Sequence, residues 1–147
     1  FPRLDTAERI EKVLGQPSQR RELGASYKLS YDKASVDFIM DRKSDRIKEI
    51  HFNRGFAGKL DQGIGLGSTL EQIIAKTGPV KKRANASPEE AQSMRMGSDR
   101  VLYTTRMGRE VTGYKLADSS AGVNYWFDPD KKLVQVVVYA SKGHSGN

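Results

Sequence analysis

The chain has 147 residues, 29% of them charged, with a net charge of +7 and no cysteine. A chain of that length buries roughly two-thirds of its unfolded surface, as one ordinary domain or two small ones, and without cysteine it excludes disulfides, Cys-ligated zinc and thiol chemistry. No apolar run nears the roughly 18 residues a membrane-spanning helix needs, and the basic balance favours acidic partners such as nucleic acid, anionic lipid or an acidic protein.

The chain begins at Phe1 rather than Met, so a signal peptide, a lipoprotein leader or a tag is expected to have been removed. Asp5 with Glu8 three residues on has capping-box spacing and predicts a helix start. Ala7, Ile10, Val13 and Leu14 give that helix one buried stripe, and Gly15 with Pro17 ends it. Arg20 and Arg21 follow, where cations complement a helix C-terminal dipole. Strands are predicted at 26–31, 36–41 and 46–53, joined by turns rich in Asp, Ser and Lys. Residues 54–67, with Gly55, Gly58, Gly63, Gly65 and Gly67, read as a linker.

The pattern then recurs. Ser68 and Glu71 predict a second helix start, Leu70, Ile73 and Ile74 its stripe, and Gly78 with Pro79 its end. Lys81, Lys82 and Arg83 take the place of Arg20 and Arg21. An insert over about 80–113 comes next, with a helix start at Ser87-Pro88-Glu89-Glu90 and a strand over 100–107 turning at Gly108. Strands at 113–117, 123–128 and 133–140 complete the pattern, and the tail 141–147 is expected to fray. Residues 27–52 overlay 114–139 without a gap: Tyr27-Lys28-Leu29 on Tyr114-Lys115-Leu116, Ala34 on Ala121, Val36 on Val123, Asp41 on Asp128. The expected architecture is α+β, two tandem helix-plus-antiparallel-meander repeats at 1–60 and 61–147 that can share one curved sheet.

Alternate strand residues share a face. In the first repeat Tyr27, Leu29, Val36, Phe38, Met40, Ile50 and Phe52 face the helix, and Lys28, Asp37, Glu49 and His51 face water. In the second, Tyr114, Leu116, Val123, Tyr125, Phe127, Val137 and Tyr139 form the core face, but the opposite face turns apolar: Trp126 replaces Ile39, Val136 replaces Glu49, Val138 replaces His51, and Val134 joins them. Burying each such side chain is worth roughly 1.5–3 kcal/mol, so the face calls for a cover: the chain itself, a second copy or a foreign protein. Trp126 is the expected anchor, with Val134, Val136 and Val138 around it and Tyr103 and Arg106 at the rim.

Other chemistry is thinner. Gly63-Ile64-Gly65-Leu66-Gly67-Ser68 precedes a helix but matches neither phosphate-loop spacing. The two histidines, His51 and His144, have no nucleophile and acid arranged with them. The turn at Asp128-Pro129-Asp130 lacks the further oxygen ligands of a calcium loop. No catalytic residue, metal site or cofactor is expected. Arg20, Arg21, Lys81, Lys82 and Arg83 form candidate anion-binding edges. Tyr103, Arg106, Arg109, Tyr114 and Lys115 interleave aromatics and cations as single-strand nucleic-acid readers do, but no recognition motif accompanies them.

Residues 65–79, Gly-Leu-Gly-Ser-Thr-Leu-Glu-Gln-Ile-Ile-Ala-Lys-Thr-Gly-Pro, with Val-Asn-Tyr-Trp-Phe-Asp at 123–128 and the Val-rich strand after it, resemble a recurring extracytoplasmic bacterial module. Its members include the SmpA/OmlA-type small lipoproteins of outer-membrane barrel assembly and the β-lactamase-inhibitor-protein fold. The tandem arrangement is similar to the inhibitor proteins, whose two repeats build one curved sheet. The resemblance implies a periplasmic or secreted binding protein, not an enzyme, that takes a protein partner or self-associates. The inhibitor proteins carry disulfides and this chain has no cysteine, so no functional residue is carried over.

Overall fold

Thr6 stays extended, and its hydroxyl accepts the Arg9 N–H at 3.3 Å, which starts the first helix, α1 (Ala7–Leu14). The computed structural model describes residues 5–93 and 100–140. The predicted tail and His144 lie outside them. The chain is α+β and divides into two units, Phe1–Phe56 with Val137–Asn147, and Ala57–Val136.

In the first unit, α1 is followed by β1 (Gln19–Leu23), β2 (Ser26–Tyr31), β3 (Val36–Asp41) and β4 (Ile47–Phe52), in the order β1-β2-β3-β4 with every pairing antiparallel. Ala140 N–H donates to Lys48 O at 2.9 Å, which brings Ala140 beside β4. The core consists of Ile10, Tyr27, Leu29, Tyr31, Val36, Phe38 and Met40, with Ile50 and Phe52 partly buried around it, as strand alternation predicts. The expected helix stripe is narrower than predicted: Ile10 is fully buried, but Val13 and Leu14 are exposed. Tyr31 seals the end of α1 by donating to Gly15 O at 2.9 Å.

In the second unit, α2 (Leu70–Thr77) is followed by β5 (Lys82–Ala86), α3 (Pro88–Ser93), β6 (Val101–Met107), β7 (Glu110–Asp118), β8 (Val123–Phe127) and β9 (Leu133–Tyr139), whose last three residues belong to the first unit. The order is β9-β8-β7-β6-β5. β5 pairs parallel with β6, with α3 in the connection, so the strands here are mixed and not a plain antiparallel meander. On the expected core face, Leu116, Tyr125, Phe127 and Val137 are buried, whereas Tyr114 and Val123 are half-buried and Tyr139 is exposed. Gly113 allows a close approach: a Cβ there would stand 2.4 Å from Phe127 O.

Three further expectations are corrected. The caps are Thr6 and Thr69, not Asp5 and Ser68. The Asp5 carboxylate accepts from Arg9 Nη1 at 3.2 Å, and Ser68 Oγ donates back to Gly65 O at 2.7 Å, so neither side chain caps. With Thr69 as cap, Gln72 and not Glu71 closes the box, accepting the Thr69 N–H at 2.9 Å. β1 and β5 are strands that periodicity missed, because β1 is exposed along its whole length and β5 buries only Ala86 and half-buries Ala84. Arg20, Arg21, Lys82 and Arg83 therefore lie on edge strands and not at helix ends.

Each unit sews its helix to a turn by the same backbone bonds. In the first, Ala7 N–H donates to Asp45 O and Ile47 N–H to Asp5 O, both at 3.1 Å; in the second, Leu70 N–H donates to Lys131 O at 2.9 Å and Leu133 N–H to Ser68 O at 2.8 Å. Asp45 and Lys131 both have positive φ, 56° and 63°, as do Ser35 and Gly122 in the preceding turns. The gap-free overlay is off by one at the second turn. Asp41 N–H reaches Arg46 O, but Asp128 N–H reaches Lys132 O. A bulge at Ile39/Met40 absorbs the extra residue, since Ile39 pairs with Glu49 and Met40 with Ile47.

The Tyr27 hydroxyl donates to Asp45 Oδ1 at 2.6 Å and so holds that positive-φ residue. Burial first, then this bond to a carboxylate, pushes the phenol from 10.0 up to about 12. A raised folded-state pKa favours the protonated fold, so this contribution is complete below about pH 10 and is lost as pH rises from there towards 12. Tyr27→Phe is expected to destabilise by roughly 0.5–1.5 kcal/mol at pH 7 and to flatten the alkaline decline. Denaturant unfolding of both proteins across that pH range measures the two effects.

Candidate functional site

Lys115, in the middle of β7, lies directly opposite Tyr103 on β6 and Trp126 on β8. The three side chains make one row on one face. α3 supplies the cover over Lys115. Ser87 and Glu90 close a reciprocal cap at its start, Glu90 N–H donating to Ser87 Oγ at 3.1 Å and Ser87 N–H to Glu90 Oε1 at 2.8 Å. Ala91 faces inward and is fully buried. Its carbonyl accepts Lys115 Nζ at 2.6 Å, and the ammonium stands 5.1 Å from the Trp126 ring centroid and 5.9 Å from that of Tyr103.

Lys115 is only 2% exposed, and among the described residues it forms no ion pair with a carboxylate. A buried cation without a counter-ion is disfavoured, and burial pulls its pKa below 10.5. What offsets this is a carbonyl in the last turn of a short helix, where orphan acceptors collect, and two aromatic faces. The row is a structural peg with aromatic shoulders: Lys115 fixes α3 from beneath and sets the rings of Tyr103 and Trp126, both of which stay half-buried.

A second buried pair closes the far end of the unit. Arg100, at φ 58°, donates from Nη1 to Asp118 Oδ2 at 2.9 Å, with both residues buried. Its remaining guanidinium nitrogens donate to Gly78 O and Pro79 O, which satisfies carbonyls left open where α2 stops.

The apolar face predicted around Trp126 is thus partly closed from within the chain. Val136 is 1% exposed. Trp126, Val134 and Tyr103 are partly buried, Arg106 is exposed with Nε donating to Asn85 Oδ1 at 3.2 Å, and Val138 is partly buried in the first unit. The mixed set of aromatics and cations is dispersed: Lys115 is sealed under α3, and Tyr114 turns from it to take Lys131 Nζ over its ring at 5.6 Å. Among the basic residues, Arg20 pairs with Glu22 at 2.8 Å and lies 4.0 Å over the Tyr27 ring, whereas Arg21, Lys81, Lys82 and Arg83 are exposed. Sequence reasoning missed Lys115, Arg100, Asp118 and Ala91 as a cluster. The available signal for Lys115 was alternation, which puts it on Trp126's face; nothing local marks Arg100 or Asp118.

The fold defines a class, an α+β protein with an antiparallel-rich mixed arrangement of strands. No protein-family model and no curated protein matches the chain. Among solved structures it is similar to an extracellular protein containing an SCP domain from Bacillus anthracis strain Ames, with a TM-score of 0.59 and 16% identity over 94% of this chain and 44% of that one. The chain therefore spans less than half the length of that protein, and at such identity the likeness shows the fold alone. Among the described residues, no helix is long and apolar enough to cross a membrane.

Lys115→Met keeps the side-chain length and removes the charge. Because the folded-state pKa is lowered, folding carries a penalty at neutral pH that fades as pH rises towards 10.5. The variant loses the bond to Ala91 O at every pH and the charge penalty only where Lys115 is charged, so its stability relative to the parent is expected to be highest at pH 7 and to fall steadily towards pH 10.5. Urea unfolding at a series of pH values reads the difference, and a difference independent of pH would contradict it.

Proposed function

We propose that the chain is a non-enzymatic protein–protein interaction module of two tandem α+β repeats, working outside the cytoplasm as a periplasmic or secreted protein. The duplication is supported by the recurring bonds between helix start and turn, and by positive φ at Asp45 and Lys131 and at Ser35 and Gly122. The compartment is supported by the resemblance of residues 65–79 and 123–128 to the small-lipoprotein and inhibitor-protein modules, and by the fold likeness to a protein described as extracellular.

One observation carries the binding role: a partly buried aromatic pair, Tyr103 and Trp126, is held in position by a buried cation. An anchor whose ring is already fixed loses little conformational freedom when a partner arrives, and aromatic side chains are the usual hot spots of interfaces. Arg106, expected at the rim of this patch, instead reaches Asn85, which pairs with Thr104 and not with Tyr103, so alternation puts it on the opposite face. His51, the histidine among the described residues, contacts Glu49 Oε1 at 2.8 Å on an outer strand face, an arrangement that needs no catalytic role.

A photo-crosslinking residue placed at Trp126 in the producing cell is expected to give discrete protein adducts, with the partner or with a second copy. Adducts no richer than those from the same residue at exposed Glu71 would count against the reading. An alternative, supported by the unneutralised Lys81, Lys82 and Arg83, is a binder of an anionic polymer or lipid. That reading predicts retention on heparin or anionic vesicles at low salt and release as salt rises; no retention at low salt dismisses it.

A further inference from the structure

The two edge strands carry their charge differently. On β1, Glu22 accepts from both Arg20 and Arg42, and Arg20 also covers Tyr27. One carboxylate on that edge is thus shared by two arginines, and Arg21 is the cation of β1 that forms no ion pair among the described residues. On β5, Lys82 and Arg83 are exposed, Lys81 precedes them, and none of the three forms an ion pair among the described residues. Among the described residues, β5 ends the strand order and pairs only with β6, so no described strand pairs with its outer row of backbone N–H and C=O groups. Its remaining side chains are small: Ala84 is half-buried, Ala86 is buried, and Asn85 accepts from Arg106.

We propose that β5 takes up an extended, acidic segment of a partner protein as an added strand. The proposal rests on the protein-binding reading and names the partner's chemistry. Backbone pairing supplies affinity in strand addition, and side chains supply selection. Here the selection is electrostatic. Lys82 and Arg83 point to opposite faces because strand neighbours alternate, so carboxylates on either face of an incoming strand meet a cation. Edge cations also deter pairing between copies. Three uncompensated cations on a chain of net charge +7 repel a second copy of the same edge, and the same charges draw an acidic one.

The test uses the full chain and a fluorescein-labelled octapeptide, Thr-Glu-Glu-Val-Thr-Glu-Glu-Val, followed by anisotropy at low salt. The peptide is expected to bind, its Lys-for-Glu counterpart not to bind, and the double variant Lys82→Glu/Arg83→Glu to weaken binding roughly tenfold or more. Backbone pairing is tested from both sides. Outward N–H groups alternate along a strand, so one of Ala84→Pro and Asn85→Pro replaces an outward N–H, is tolerable on an edge strand and should abolish binding with all charges intact. Equally, one of two peptides N-methylated at alternate residues should fail to bind while the other binds, and this arm needs no change to the protein.

If both prolines and both methylated peptides bind like the parent, and heparin competes through the same cations, the edge is a side-chain polyanion site and strand addition is overturned. If no acidic peptide binds while Trp126 adducts persist, this proposal fails and the protein-binding reading stands. Peptide binding without Trp126 adducts supports β5 and removes the aromatic patch.

Discussion

In each unit a helix is anchored at its first turn by backbone bonds to the far end of a hairpin. Two hydrogen bonds per unit do this, one into a left-handed residue and one out of the segment just before the cap. They fix where the helix starts and which stripe faces the strands, and so decide that Ile10 and Ile73 are the fully buried helix residues. An aromatic side chain from the strand before each hairpin contacts the left-handed residue, Tyr27 through a hydrogen bond to Asp45 and Tyr114 through its ring to the Lys131 ammonium. The chemistry of the contact differs and its position does not. The backbone bonds therefore constrain the fold more tightly than the side chains that support them.

The second unit adds a layer to this frame. A parallel strand enters through a short helix, and that helix needs something to rest on. Lys115 provides it by giving its proton donor to Ala91 O and its charge to two rings. The corresponding Lys28 in the first unit has no such cover and is half-buried. A position that is a solvated lysine in one setting becomes an interior peg in the other, with no change of residue. What changed is the neighbour, and the outcome is a surface where aromatic rings are displayed with their backs already held.

Legibility followed burial. Strands β2, β3, β8 and β9, with alternating or near-continuous apolar residues, could be read from residue pattern to within a residue or two, and so could the glycine stops at Gly15 and Gly78. β1 and β5 could not, because an edge strand with little or no buried face carries no periodic signal. The caps were misplaced by one residue because Asp5 and Ser68 are good capping types whose groups are committed elsewhere. The apolar divergence at Trp126 and Val136 was visible, but its cover was not, since α3 reaches Lys115 through the backbone carbonyl of Ala91, a group every residue has. The Arg100–Asp118 pair joins positions far apart in sequence, and no local rule connects them.

The last strand is divided: its first four residues belong to the second unit, and Val137–Tyr139 to the first. The amide of Ala140, made near the end of synthesis, serves the carbonyl of Lys48, made in the first third. As the chain leaves the ribosome, the N-terminal unit thus waits for the C-terminal one to be complete before its outer strand can close. A nick between Phe56 and Ala57 separates the first unit from Val137–Tyr139, whereas the C-terminal fragment keeps every strand of the second.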